Sequence, residues 1–369
     1  MTPLDRQIRA EIRAQGPIDI AHFMALALGH PVHGYYATRD PFGQAGDFIT
    51  APEISQMFGE LLGLWAVAVW QGLGRPDPVQ LVELGPGRGT LMADALRAAR
   101  GAPDFLRAIR LGFVETSPVL RQAQARAMQP SGIAPGWLDD LSGLAGGPVI
   151  LLANEFLDAL PIRQLVRQGG AWRERLIAWE QDSDRLVFTA SPGASPHAVL
   201  LDARVTRDAP EGAIAEVCPQ ALALGGLLGQ RLARFGGAAL FLDYGHAPSA
   251  PGDTLQALRA HEFAPILEAV GQADLTAHVD FARFARAAAE AGATAFGPIG
   301  QGAFLQRLGI VLRAERLAGA VGPEAAASIR AALTRLTAPD QMGTLFKVLA
   351  LTPEGSAAPP GFLDSECRS

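Results

Sequence analysis

Two stretches of this 369-residue chain place acids where buried strands should end. In ELGPGRGT (83–90), Glu83 stands two positions before Gly85, with Gly87 and Gly89 following. In LLANEFLDALP (151–161), an apolar run gives way to Asn154, Glu155 and Asp158 before Pro161. Buried without partners, each such group costs a few kcal/mol. They are therefore either solvated loop residues or the rim of a site. Gly85 and Gly87 allow a tight turn and a close ligand approach, and the helix that starts behind them offers free N–H groups. A dinucleotide fingerprint, G-x-G-x-x-G, is one reading, but Gly89 comes one residue early. An acid two positions before the first glycine is instead the pattern of S-adenosylmethionine enzymes. That cofactor carries a sulfonium and an ammonium, and acids favour both.

Further candidates extend this reading. Glu115, in GFVETSP, ends the next strand, where an acid binds ribose hydroxyls. Asp139 or Asp140, in WLDDL, bonds the adenine amino group or caps a helix. Asn154 is placed at the methionine end of the cofactor. The loop FGQAGDFIT carries Gly43 and Gly46, with Asp47 and Thr50 as polar ends. It reads as a lid over the cofactor or as a plain interhelix connection capped by Thr50. Asp243, Tyr244 and His246 end another strand, so Tyr244 or His246 lines an acceptor pocket or Tyr244 is a buried structural residue. Trp137 and Phe156 stack on the cofactor or fill core.

The elements that must position these residues follow from periodicity. Residues 1–76 read as mostly helical around a Gly-rich loop at 33–50. Thr50 and Glu53 form a capping box for a helix whose apolar face holds Met57, Phe58, Leu61, Leu62 and Trp65. Beyond 75–78 strands alternate with helices: strands at 79–85, 111–116 and 148–156. Their continuous apolar character implies a parallel sheet covered on both faces, which binds ligands at the carboxyl ends of its strands. After Pro161 a hairpin turns at QDSD. Residues 211–237 read as helix, 238–246 as strand, 247–280 as loop, 281–292 as helix, and the rest as helical up to a last strand at 343–353, with a frayed tail. The expected division is a helical region with lid loop (1–76), the cofactor half of a Rossmann-like α/β domain (77–168), an inserted β-hairpin (169–210), the remaining core with a helical insertion (211–353) and a tail (354–369).

Composition excludes several classes. Apolar residues make up 49%, enough for a sizeable core, and a net charge of −6 argues against nucleic acid held by bulk charge. Every basic residue is arginine except Lys347, which reads as coding bias. Cys218 and Cys367 are too few and too far apart for a disulfide framework or a zinc site. His30 and His33 have no clustered co-ligands, so no metal is expected. No signal-peptide core or bilayer-length apolar run is present, and a soluble protein without membrane insertion is expected.

In this order, GYY…FGQAGDFITAPEISQMFGELLG, LVELGPGRGTL, NEFLDALPIRQ, FLDYGH, DLTAHVDF and MGTLFKVL resemble the MidA family over nearly the whole chain. Its mitochondrial members are arginine methyltransferases of complex I assembly. The resemblance implies a class I S-adenosylmethionine-dependent methyltransferase fold with extra helices and an inserted hairpin. It also implies a protein substrate, such as a complex I core subunit dimethylated symmetrically on arginine. With Asp5 and Glu11 in a short start and no transit peptide, a bacterial cytoplasmic member fits. An arginine acceptor stays protonated above a pKa of about 12, and paired carboxylates can grip it. Glu155 and Asp158, brought to one side if their segment turns helically, are the candidates for that task, with Asp47 as a further catalytic acid. The alternatives are a small-molecule methyltransferase, a non-catalytic S-adenosylmethionine-binding assembly factor, and a nicotinamide-dependent oxidoreductase.

Overall fold

A computed structural model describes residues 1–38 and 50–368; Gly43, Gly46 and Asp47 lie outside the described residues. The chain forms two interleaved compact units. One gathers Met1–Phe48, Leu157–Ala223 and His246–Arg283; the other gathers Ile49–Phe156, Leu224–Gly245 and Phe284–Ser369. The chain leaves each unit and returns to it.

The second unit is built on a sheet of β1 (Val79–Leu84), β2 (Ile109–Val114), β3 (Gly136–Leu138), β4 (Val149–Asn154), β5 (Gly237–His246), β6 (Ala293–Gly300), β7 (Phe346–Pro353) and β8 (Cys367–Arg368). Across the sheet the order is β8-β6-β7-β5-β4-β1-β2-β3. The first five strands are parallel, from β3 at one edge to β5, and β7 and β6 complete the sheet antiparallel. This is the expected mostly parallel, doubly wound sheet. The strand order reverses at the β1–β4 junction, where an open α/β sheet leaves a crevice at the carboxyl ends of its strands. β4 is buried along its whole length and β1 nearly so, which explains their apolar runs.

Helices α1 (Ala51–Ile54) and α2 (Gln56–Gly72) precede β1, and α3 (Thr90–Ala98) follows the glycine turn. Gly59 and Gly63 make the packing of α2 on α3 possible. A side chain at Gly63 would come within 2.4 Å of the Ala95 carbonyl, and one at Gly59 within 2.8 Å of the Leu91 carbonyl. α2 thus lies backbone to backbone against the helix that carries the turn.

The other unit joins helices Pro3–Gln15 and Ile20–Gly29 to a meander in the order Ile18–Asp19, Ala171–Glu180, Arg163–Gln168, Ile214–Val217, with Arg185–Ala194 paired to Ala171–Glu180. The expected hairpin is present as two strands of this sheet. Its core gathers Leu4, Ile8, Phe23, Met24, Ile177 and Leu275.

Four local expectations are corrected. Residues 211–237 are not one helix: strand Ile214–Val217 precedes helix Pro219–Phe235. The stretch 247–280 holds a small antiparallel sheet of Gln256–Arg259, Glu262–Ala264 and Asp274–Thr276. ATAFGPIG, in the stretch expected to be helical, is the strand β6, paired with β7. The tail is not frayed: Phe362 is 7% exposed and packs against Phe304, and β8 pairs with β6. Phe362→Ala is expected to lower stability by about 3 kcal/mol or more, read from the urea midpoint followed by far-UV circular dichroism.

Candidate functional site

Between β1 and α3 the backbone reverses through three glycines with positive φ: Gly85 at 58°, Gly87 at 52° and Gly89 at 84°. Only glycine adopts these values at little cost. Gly89 is the N-cap of α3 and offers no side-chain cap, so the first turn of that helix keeps its donors for a ligand. Gly85 is exposed, whereas Gly87 and Gly89 are buried. A β-carbon at Gly85 would meet the Phe156 ring at 2.9 Å. The glycine turn and the end of β4 therefore meet at one edge of the sheet, as the acids at 83 and 155 required.

Glu83 is 3% exposed, and among the described residues its Oε2 has no hydrogen-bond partner. Burial pushes its pKa up to about 8. On the neighbouring strand Asn154 is also buried, with Oδ1 unpartnered among the described residues. Its Nδ2 donates to Glu155 Oε1 at 3.0 Å. Two orphaned acceptors beside an open glycine turn fit a ligand rich in donors and positive charge. The ammonium and sulfonium of S-adenosylmethionine meet that demand, whereas the pyrophosphate of a dinucleotide would add charge of the wrong sign.

Glu115 lies just past β2, half-buried. Its Oε1 accepts from the Ser117 N–H (2.8 Å) and its Oε2 from Gln124 Nε2 (3.2 Å). Desolvation raises its pKa, against which those donors act. Asp139 has a side chain 84% exposed and pairs with Arg121 at 2.6 Å. Asp140 caps the turn Leu141–Gly143 by accepting from Ser142 N at 2.7 Å, the capping alternative of the sequence reading.

Glu155 does not continue into a helix. It takes φ 51° directly after β4, and a tight turn with Leu160 N–H on the Leu157 carbonyl follows. The helical turn on which the alignment of Glu155 with Asp158 was conditional is absent. Instead the Glu155 N–H donates to the Leu242 carbonyl (2.8 Å), and its Oε1 also accepts from the Ala51 N–H at 3.1 Å. The Phe156 N–H donates to Asp243 Oδ2 at 3.1 Å. Asp243, 1% exposed, also accepts from the Tyr244 N–H at 2.9 Å. Tyr244 is half-buried, edge-on to Phe346.

Thr50 is the N-cap of α1 by position, but its side chain makes no cap bond. The capping box is corrected: Glu53 Oε1 instead accepts from the Thr90 hydroxyl at 2.6 Å, in the first turn of α3, and Ser55 caps α2. Glu53 and Glu155 thereby tie α1 to both sides of the glycine turn. Glu53 was read only as a cap, because the contact with Thr90 spans 37 positions.

In the other unit Asp158 is 6% exposed, and its backbone carbonyl accepts from Ala277 N at 3.0 Å. The Tyr36 hydroxyl donates to Asp274 Oδ1 at 3.0 Å. Burial, then the charges of Asp274 and Asp158, hold that phenol protonated well above its usual range. Neither Tyr36 nor Asp274 stood out as a site residue, although both lie in the blocks GYY and DLTAHVDF. His246 belongs to this unit; burial and then its charge lower the pKa of His278.

A model of the family described as "Putative S-adenosyl-L-methionine-dependent methyltransferase" matches residues 61–299. Over 377 residues the chain is 38% identical to the Mus musculus "Protein arginine methyltransferase NDUFAF7, mitochondrial", covering 96% of this chain and 85% of that protein. The Drosophila melanogaster homologue is 40% identical over 385 residues, with coverage of 96% and 86%. Among solved structures, a Burkholderia thailandensis "likely methyl transferase" bound to S-adenosyl-homocysteine superposes with a TM-score of 0.84. It is 29% identical, and the match covers 99% of this chain and 95% of that one.

The Glu83 carboxyl carries a pH signature. With its folded pKa raised to about 8, its contribution to stability is complete below the ordinary carboxylate range and is lost as pH rises through 8. Urea titrations from pH 5 to 9 are expected to show that loss in the free protein and a flatter profile in Glu83→Gln. A cationic cofactor favours the ionised carboxylate, so calorimetry at pH 7 in buffers of different ionisation heat is expected to show proton release that Glu83→Gln removes.

Proposed function

Because this chain belongs to the family of S-adenosyl-L-methionine-dependent methyltransferases that includes the mitochondrial protein arginine methyltransferases, we propose that it methylates an arginine side chain of a protein. The observation that carries this reading is the half-buried Glu155 carboxylate at the end of β4, adjoining the residue whose ring packs on Gly85. An acid in that place suits a cationic acceptor. The name borne by the relatives supplies the acceptor type.

The bound cofactor supplies an electrophilic methyl group on a sulfonium. Glu83 and Asn154 hold its methionine end, Gly85 and Gly87 give it backbone access, and Glu115 receives the ribose hydroxyls. Asp139 or Asp140 stands toward the adenine. Glu155 grips the guanidinium, which orients one nitrogen and localises positive charge on the others. Tyr244 borders the acceptor. Holding acceptor and donor about 3–3.5 Å apart provides roughly 7–11 kcal/mol of the barrier reduction. The finer reading is symmetric dimethylation of a respiratory complex I core subunit, carried out in a bacterial cytoplasm.

The test is incubation of extract from a deletion strain with purified protein and labelled S-adenosylmethionine, followed by mass spectrometry of the labelled band. Label on an arginine is expected; label on lysine or RNA overturns the reading. Gly85→Val is expected to abolish S-adenosyl-homocysteine binding. Glu155→Gln is expected to slow methylation by about 100-fold or more while changing that affinity by less than about threefold.

A further inference from the structure

Helix α4 (Pro118–Met128) buries a stripe of Leu120, Gln124 and Met128. An amide in the middle of that stripe is unusual, since an apolar side chain would fill the position without needing partners. Gln124 is fully buried, and both ends of its amide are engaged. Nε2 donates to the Gly87 carbonyl at 2.7 Å and to Glu115 Oε2 at 3.2 Å. Oε1 accepts from the Trp137 indole N–H at 2.8 Å. The indole can only donate, while the carbonyl and a carboxylate can only accept, so chemistry allows one orientation of the amide.

The three partners come from three strand ends: Gly87 after β1, Glu115 after β2 and Trp137 in β3. We propose that Gln124 is a positioning residue for ribose recognition. It holds Glu115 in the rotamer that presents its carboxylate to the ribose hydroxyls, and it locks that acid to the glycine turn. This rests on the reading of Glu115 as the ribose acid. The Ser117 N–H engages the other carboxylate oxygen. Ser117 and Gln124 together therefore fix the plane of the carboxylate and leave its remaining lone pairs for the ligand. A ribose that loses its hydroxyls then leaves the remaining lone pairs of a fixed, half-buried acid unmet, which is how a site built around a hydrogen bond rejects the analogue lacking it.

The test compares the dissociation constants of S-adenosyl-homocysteine and its 2′,3′-dideoxy analogue by calorimetry, which needs no acceptor protein. The wild type is expected to prefer the hydroxylated ligand by roughly tenfold or more. Gln124→Leu is expected to shrink that ratio by at least about fivefold, an effect that a loss of stability alone does not produce. Gln124→Glu keeps the acceptor for Trp137 and sets a second carboxyl beside Glu115. Each charge disfavours the other, so at low pH a shared proton restores the link to Glu115, though not the donor to the Gly87 carbonyl. Discrimination in Gln124→Glu is therefore expected near the wild-type value at low pH and to fall as pH rises, and this variant decides the matter if Gln124→Leu does not fold. A wild-type ratio in Gln124→Leu, or a pH-independent ratio in Gln124→Glu, overturns the positioning role if Glu115→Ala has lost discrimination. Full discrimination in Glu115→Ala overturns the ribose reading itself.

Discussion

Folding buries the Glu83 carboxyl in a central strand of a mostly parallel sheet, with one oxygen lacking a donor among the described residues. Leaving it unmet costs on the order of 1–3 kcal/mol. Nothing in the packing of β1 requires an acid, because the flanking residues Leu81, Val82 and Leu84 are apolar and buried. Burial pushes the pKa of that carboxyl up to about 8, so proton uptake offsets the cost in the free protein.

The sheet edge around this acid is held by polar ties between segments distant in sequence. Glu155 receives the N–H of Ala51, and Glu53 receives the hydroxyl of Thr90. Asp243 gathers the N–H groups of Phe156 and Tyr244, and Gln124 joins Gly87, Glu115 and Trp137. The ties to the Phe156 N–H and the Gly87 carbonyl satisfy backbone groups just past the ends of β4 and β1, where the ladder no longer pairs them. Rigid placement of the rim follows from meeting that requirement with side chains rather than with water.

Glu155 illustrates how such a tie constrains chemistry. Its left-handed backbone points the chain away from β4, and its carboxylate already accepts two donors. It is a held acid with a preset orientation, with less rotamer entropy left to lose than a free side chain has.

The glycine turn, the acid before it and the parallel strands that flank it were legible in the sequence alone. So were the acids at the ends of β2 and β4. These signals are local: a period of apolar residues, glycines where φ must be positive, a polar residue where an apolar run stops. Folding decided the rest, because it depends on partners far away along the chain. Whether ATAFGPIG is a strand was settled by pairing with β7, and whether the tail is ordered by the pocket against Phe304. Glu53 bonds Thr90 rather than its own helix, because tertiary packing brings a better partner than the local one. Local spacing encodes which groups stop a strand; only the folded chain determines which of them meet.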